Sequence, residues 1–241
     1  MADRETPTAS THSVDRIDGP TDTSLKERTV QLRKELNEWL PEGALDSFDE
    51  GAEETSRDLL PDAVSVGDQA PDFRLPDARG GEVELSSLLE SGPVVMVFYR
   101  GEWCPYCNLQ LAAFQESLDE IEAAGASLLA ISPQTPDASL THAEKHELRF
   151  GVLSDLRNKV ATEYGLVIRQ PDVTTAKQLE VGEELGLNVD VTTFSGDDSK
   201  EFPAAATYVV GQDGNIQWLS VSTDYRWRVG PEEVLEVLRG A

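Results

Sequence analysis

The sequence predicts an α/β fold in which a central mixed β-sheet is flanked by helices and preceded by a helical extension. Three observations predict it. Val94 to Tyr99 is a continuous apolar run with the length of a central strand covered on both faces. From there to Gly165, strand-like runs alternate with segments of helical period, the βαβα order of a largely parallel sheet. Ala206 to Val210 and Ile216 to Val221 flank an Asp213-Gly214 turn, the signature of an antiparallel hairpin.

Met1 to Thr23 is polar, with almost no large apolar residue to offset the entropy of ordering, and is expected to be a disordered tail; His12 within it has no evident role. Residues 24–62 are expected to form a helical extension. Ser24 and Glu27 make a capping box, and Leu25, Leu32, Leu36 and Trp39 recur at helical spacing until Pro41. Asp46 to Leu60 carries a second, acidic helix.

Residues 63–241 form the main domain in this reading. Asp72 to Leu75 and Glu82 to Leu85 read as short strands around a Gly80-Gly81 turn, with a short helix capped near Ser86. Leu111, Phe114, Leu118 and Ile121 mark one face of a single long helix ending at Gly125, and Ser127 to Ile131 is a second buried strand. Asp137 to His146 is helical, Gly151 to Ser154 strand-like, and Asn158 to Tyr164 a helix closed by Gly165. Pro171 to Asp198 is an irregular insertion with a helix from Ala176 to Glu184, and Pro231 opens a last helix whose apolar side is Val234, Leu235 and Leu238. A β-α-β unit passing into β-β-α is the thioredoxin arrangement.

Forty-five acidic against twenty basic residues give a net charge of −25, which excludes polyanions such as nucleic acid as partners. The excess runs along the whole chain and lysine occurs at only six positions, a distribution that resembles halophilic proteins. No apolar stretch approaches the roughly 20 residues that span a bilayer, and Met1 to Thr23 lacks a signal peptide's basic-then-apolar build. A cytoplasmic protein is expected.

The two cysteines are too few for a disulfide scaffold, and their spacing points to catalysis or metal. They lie in Phe98-Tyr99-Arg100-Gly101-Glu102-Trp103-Cys104-Pro105-Tyr106-Cys107, between the buried strand and the long helix. Helical counting from Leu111 puts Cys107 in the first turn on the apolar face and Cys104 at the helix tip. Free backbone N–H groups and the helix dipole there stabilise a thiolate, the species that attacks a peroxide or a disulfide. A sulfenic acid formed on one sulfur would condense with the other into a disulfide. Trp103 can shield the site, and Tyr106 and Arg100 are the remaining candidates for substrate contact, Arg100 as a positive charge beside a bound peroxide or as a salt-bridging residue. His142 and His146, four apart on a predicted helix, are read as solvated rather than as zinc ligands. Neither a metal nor a cofactor is required by this chemistry.

The Phe-Tyr-Arg-Gly-x-Trp-Cys-Pro-Tyr-Cys run resembles the peroxiredoxin-like branch of the alkyl hydroperoxide reductase and thiol-specific antioxidant family. Similar too are Val66 to Phe73, Leu153-Ser154-Asp155, Tyr164-Gly165-Leu166, Ala206 to Val210 and Asp224-Tyr225, so the likeness runs from about Ser24 onward. It implies a thiol peroxidase acting on hydrogen peroxide or organic hydroperoxides, recycled by a thioredoxin-like or other dithiol reductant, with a homodimer as one assembly. Register from Tyr99 implies a peroxidatic Cys107, with Cys104 in place of the family's threonine and able to resolve. The Trp-Cys-x-x-Cys order of thioredoxins implies the reverse, with Cys104 attacking, and a protein disulfide reductase or a redox-sensing module are the alternatives. Peroxiredoxins place an arginine and thioredoxins a proline three residues before the aromatic of the late strand; Ala205 stands there.

Overall fold

The computed structural model describes residues 24–57 and 60–240, so the expected tail and His12 lie outside it. Along the chain the elements are α1 (Leu25–Trp39), α2 (Ala44–Thr55), β1 (Arg74–Pro76), β2 (Glu82–Glu84), α3 (Leu85–Leu89), β3 (Val94–Phe98), α4 (Pro105–Glu116), α5 (Leu118–Ala123), β4 (Ser127–Ser132) and α6 (Pro136–Lys145). There follow β5 (Gly151–Ser154), α7 (Lys159–Glu163), β6 (Val167–Arg169), α8 (Asp172–Leu185), α9 (Val191–Ser195), β7 (Glu201–Pro203), β8 (Ala205–Val210), β9 (Ile216–Ser222) and α10 (Pro231–Gly240).

The main sheet runs β5-β4-β3-β8-β9, with β3, β4 and β5 parallel and β8 and β9 antiparallel. This is the thioredoxin-like α/β fold. Every residue of β3 is fully buried because both faces are covered, which is why its sequence is apolar without alternation. Val95 and Val97 face a core layer shared with α4, α5 and α10, whereas Val94, Met96 and Phe98 face the layer under α3 and α7. The β8–β9 hairpin turns at Gly214, whose φ of +83° is open to glycine at no steric cost.

Helix α1 forms as its capping box predicts: the Ser24 hydroxyl accepts from the Glu27 N–H, and the Glu27 carboxylate accepts from the Ser24 N–H at 3.1 Å. Leu25, Leu32 and Leu36 are buried in the same layer as the cysteine helix, each burial contributing about 1.5–3 kcal/mol. Arg28, also on this face, is paired with Glu116 of α4 at 2.7 Å.

Several expectations need correction. The single helix ending at Gly125 is broken at Ser117, whose N–H is shared between the Ala113 and Gln115 carbonyls and whose ψ of 5° is not helical. The insertion is more ordered than expected: Pro171 and Gly186 bound the full α8, and α9 follows with Asp190 capping the Thr192 N–H. β6 and β7 form a small antiparallel pair with no signal in the sequence, being three residues each. His142 is not solvated. It lies fully buried on the inner face of α6 with Ser139 and Ala143, its Nδ1 3.4 Å from the Tyr99 hydroxyl. Burial, with His146 and Lys145 nearby, pulls it down to about 3, so the ring is neutral.

Candidate active site

The chain leaves β3 at Phe98 and must turn sharply to present the cysteines at the start of α4. Gly101 makes the turn at a φ of +151°, and a Cβ there would meet Trp103 Nε1 at 2.5 Å. The turn is held from two sides: the Gln134 Oε1 accepts from the Glu102 N–H at 2.7 Å, and Asn108 Nδ2 donates to the Glu102 carbonyl at 2.8 Å. Cys104 then occupies the N-cap in extended conformation, with Pro105 at the first helical position, where its missing N–H costs nothing. Cys107 follows in the first turn, facing the core.

Both thiols are free and buried, Cys104 at 2% exposure and Cys107 at 0%. They differ in what they face. The Cys104 side lines a cavity of about 240 Å³, whereas Cys107 is turned away from it. Trp103, Tyr106 and Tyr225 form the cavity wall near the sulfur, and Leu36, Leu45 and Phe48 of α1 and α2 and Leu185 of α8 extend it.

The charge beside the sulfurs comes from a residue that sequence reasoning missed. Arg228, in the loop between β9 and α10, donates through Nη2 to Cys107 Sγ at 3.2 Å and lies 3.9 Å from Cys104 Sγ. Its Nη1 donates to Gln110 Oε1 at 3.0 Å and its Nε to the Tyr225 carbonyl at 3.0 Å. Gln110, buried on α4, in turn donates to the Val229 carbonyl at 3.1 Å. The guanidinium is therefore fixed on three sides. The signal was two arginines, Arg226 and Arg228, close together in a chain poor in basic residues.

Burial opposes charge on either thiol, yet Cys104 is drawn down to about 5, because the Cys107 S–H donates to it and Arg228 and Arg100 supply positive charge. Cys107 moves the other way, pushed well up by burial and by its role as donor to Cys104. One anion is thus shared by two sulfurs under one guanidinium. Arg228 stands nearer Cys107, while the thiol that is drawn down is Cys104, which holds the N-cap and faces the cavity.

Arg100 is placed differently from a direct ligand. Its guanidinium is hydrogen-bonded to Gln170 and boxed by aromatic rings, 4.7 Å from Trp103, 4.7 Å from Tyr225 and 5.3 Å from Phe202. Tyr106 is buried and packs edge-on against Tyr225 at 5.7 Å. The structure thus brings Arg100, Trp103, Cys104 and Tyr106 together on the lining of one cavity, with Cys107 outside that lining. Among the described residues, no group of three or more His, Cys, Asp and Glu is arranged to hold a metal ion.

The family model described as the AhpC/TSA family matches residues 66–219. The chain belongs to the AhpC/TSA family. Over 103 residues it is 37% identical to the chloroplastic peroxiredoxin Q of Sedum lineare, covering 43% of this chain and 55% of that protein. It is 34% identical over 103 residues to the peroxiredoxin Bcp of Escherichia coli, covering 43% and 65%. The chain therefore spans between about half and two thirds of the length of these curated relatives. Among solved structures, the peroxidoxin BcpB of Mycobacterium tuberculosis aligns with a TM-score of 0.55 and 25% identity, over 73% of this chain and 97% of that one. The reduced 2-Cys peroxiredoxin of Plasmodium vivax aligns with a TM-score of 0.56 at 18% identity, over 73% and 81%, a likeness of fold. The family segment includes both cysteines but neither α1 and α2 nor Arg228. Ala205 opens β8 without a charge, and this chain carries positive charge to its sulfurs from a later loop.

Proposed function

We propose that the chain is a thiol-dependent peroxidase that reduces hydrogen peroxide or organic hydroperoxides through the Cys104–Cys107 pair. The observation that carries this reading is a cavity-facing N-cap cysteine with a second free thiol in the next turn and Arg228 across both sulfurs. Cys104 sulfur attacks one peroxide oxygen; the S–O bond forms, the O–O bond breaks, and the leaving alkoxide or hydroxide takes a proton from solvent. Arg228 stabilises the charge that gathers on the leaving oxygen. The Cys107 thiol then attacks the sulfenic sulfur, an S–S bond forms, and hydroxide departs with the Cys107 proton as water. Two electrons from an external dithiol, thioredoxin-like or other, return the pair to thiols.

This order, Cys104 first, is the reverse of the one that register from Tyr99 implies. Treating Cys104→Ser and Cys107→Ser separately with peroxide and trapping sulfenic acid decides it. Label in Cys107→Ser alone supports attack by Cys104, and label in Cys104→Ser alone restores the family order. The absence of rapid labelling in both removes the peroxidase.

The same attack order also suits a protein disulfide reductase, because Trp103 and Cys104 line the cavity while Cys107, one turn on, is placed to release a mixed disulfide. Reduction of insulin disulfides with turnover, in the absence of a peroxide reaction, would establish that second reading. The acidic surface supports a cytoplasm rich in salt, and no helix among the described residues is long and apolar enough to cross a membrane. A homodimer belongs to the same proposal, as does the division into an extension over 24–62 and a domain over 63–241.

A further inference from the structure

Helices α1 and α2 lie outside the matched family segment, yet they hold the loop that brings Arg228 to the sulfurs. Asp49 of α2 accepts from Arg226 Nη1 at 2.8 Å and, on the same oxygen, from Arg33 Nη1 of α1 at 2.8 Å. Arg226 is further clamped by Asp224, which accepts from its Nε at 2.9 Å and its Nη2 at 2.7 Å. Tyr225 donates its hydroxyl to the Phe48 carbonyl at 3.3 Å, while its own carbonyl accepts from Arg228 Nε. Residues 224–226 are therefore pinned to the middle of α2 at two adjacent points, and Arg228 stands two residues beyond the pin.

We propose that Asp49 is a positioning residue of the active site: by holding Arg226 against α2 it fixes the 224–228 loop so that Arg228 spans the Cys104 and Cys107 sulfurs. The segment from 223 to 230 has no regular secondary structure to hold it, so its conformation depends on such side-chain ties. Arg226 and Asp49 are 21% and 22% exposed, so the pair is shielded enough from solvent to keep its geometry. Burial works against the Asp49 charge, but the two arginines hold the carboxyl below its usual range. A deletion of the extension would then act on the sulfurs at a distance, with no contact of its own to them.

The sign of the effect separates positioning from simple electrostatics. The groups facing the sulfurs are Arg228 from the loop, Arg100 at the end of β3, Tyr106 on α4, Tyr225 on the pinned loop and Tyr99 behind Cys107. Asp49 is a negative charge on the wall of the same cavity. Removing that charge alone would make a thiolate easier to form, whereas releasing Arg228 makes it harder.

The test uses the full chain with Asp49→Asn, Asp49→Glu and Arg228→Gln, alone and combined, and follows thiolate absorbance against pH together with the rate of iodoacetamide alkylation. For Asp49→Asn the thiolate titration should move up by about one unit, with about tenfold less thiolate on its acid side. Glutamate should restore most of this, and Asp49→Asn should change the Arg228→Gln background by less than about twofold. A titration that moves down or stays put, or effects that multiply in the double variant, overturns the proposal. Should Asp49→Asn lose its cooperative melting, Arg226→Gln applies the double-variant criterion alone: its upward shift should vanish in the Arg228→Gln background, and a shift that persists there overturns the proposal. Neither readout requires peroxide turnover, so this inference stands or falls separately from the peroxidase reading.

Discussion

Arg228 and Cys107 are 121 positions apart in sequence and 3.2 Å apart in space, and that contact gives the cysteine pair its positive charge. The guanidinium is oriented by Gln110 and by the Tyr225 carbonyl, so it is preorganised before any substrate arrives. Such a donor acts at little reorganisation cost during the reaction.

Replacing Arg228 by glutamine should therefore slow the reaction with peroxide by about a hundredfold, the loss typical of one preorganised charged donor. Arg228→Lys should recover only part of it, because an ammonium cannot bind Gln110, the Tyr225 carbonyl and sulfur at once in planar geometry. Stopped-flow peroxide consumption measures both. A wild-type rate in Arg228→Gln would remove this residue from the site.

The two thiols should leave opposite marks on stability against pH in the reduced protein. Cys104 titrates at about 5 when folded against 9.0 in the unfolded reference, so the unfolded chain holds the extra proton between those values. Stability from this group is thus fully present above about 9, declines as the pH falls, and is gone below about 5. Cys107 is pushed up on folding, so its effect reverses the sign and stability falls as the pH rises beyond the ordinary thiol range. Denaturant midpoints measured across pH, with Cys104→Ser as reference, should show a rise from acid to neutral that the variant lacks. A flat difference between the two proteins would mean that the fold does not stabilise a thiolate on Cys104.

Salt should act on the whole molecule. With a net charge of −25, self-repulsion weakens the compact state at low ionic strength, and screening relieves it once the Debye length shrinks to about 3 Å at molar salt. The melting midpoint should rise between dilute buffer and molar KCl. A midpoint indifferent to KCl would leave the acidic composition without a role in stability.

The features legible in the sequence were those written in short-range pattern. The apolar run 94–99, the capping box at Ser24 and Glu27, and the Asp213-Gly214 turn each produced the element they predicted, because backbone preference and periodicity act over a few residues. The placement of Cys104 at the helix tip and of Cys107 in the first turn was legible for the same reason. The break at Ser117 was not, since Leu118 and Ile121 stay buried and so keep the apolar spacing of an unbroken helix. His142 was misread because a single histidine carries no mark of whether its helix face meets Tyr99 or water.

By itself the sequence determined most elements of the main sheet, their order and the chemical identity of the reactive pair, since these follow from local propensity and from the residue types present. Only the tertiary structure decided that Arg228 stands beside both sulfurs, that the two thiols differ in their surroundings, and that Asp49 reaches the same loop. Those outcomes depend on burial and on the angle at which separate segments meet. Both are products of packing summed over the whole core, with no local pattern to encode them.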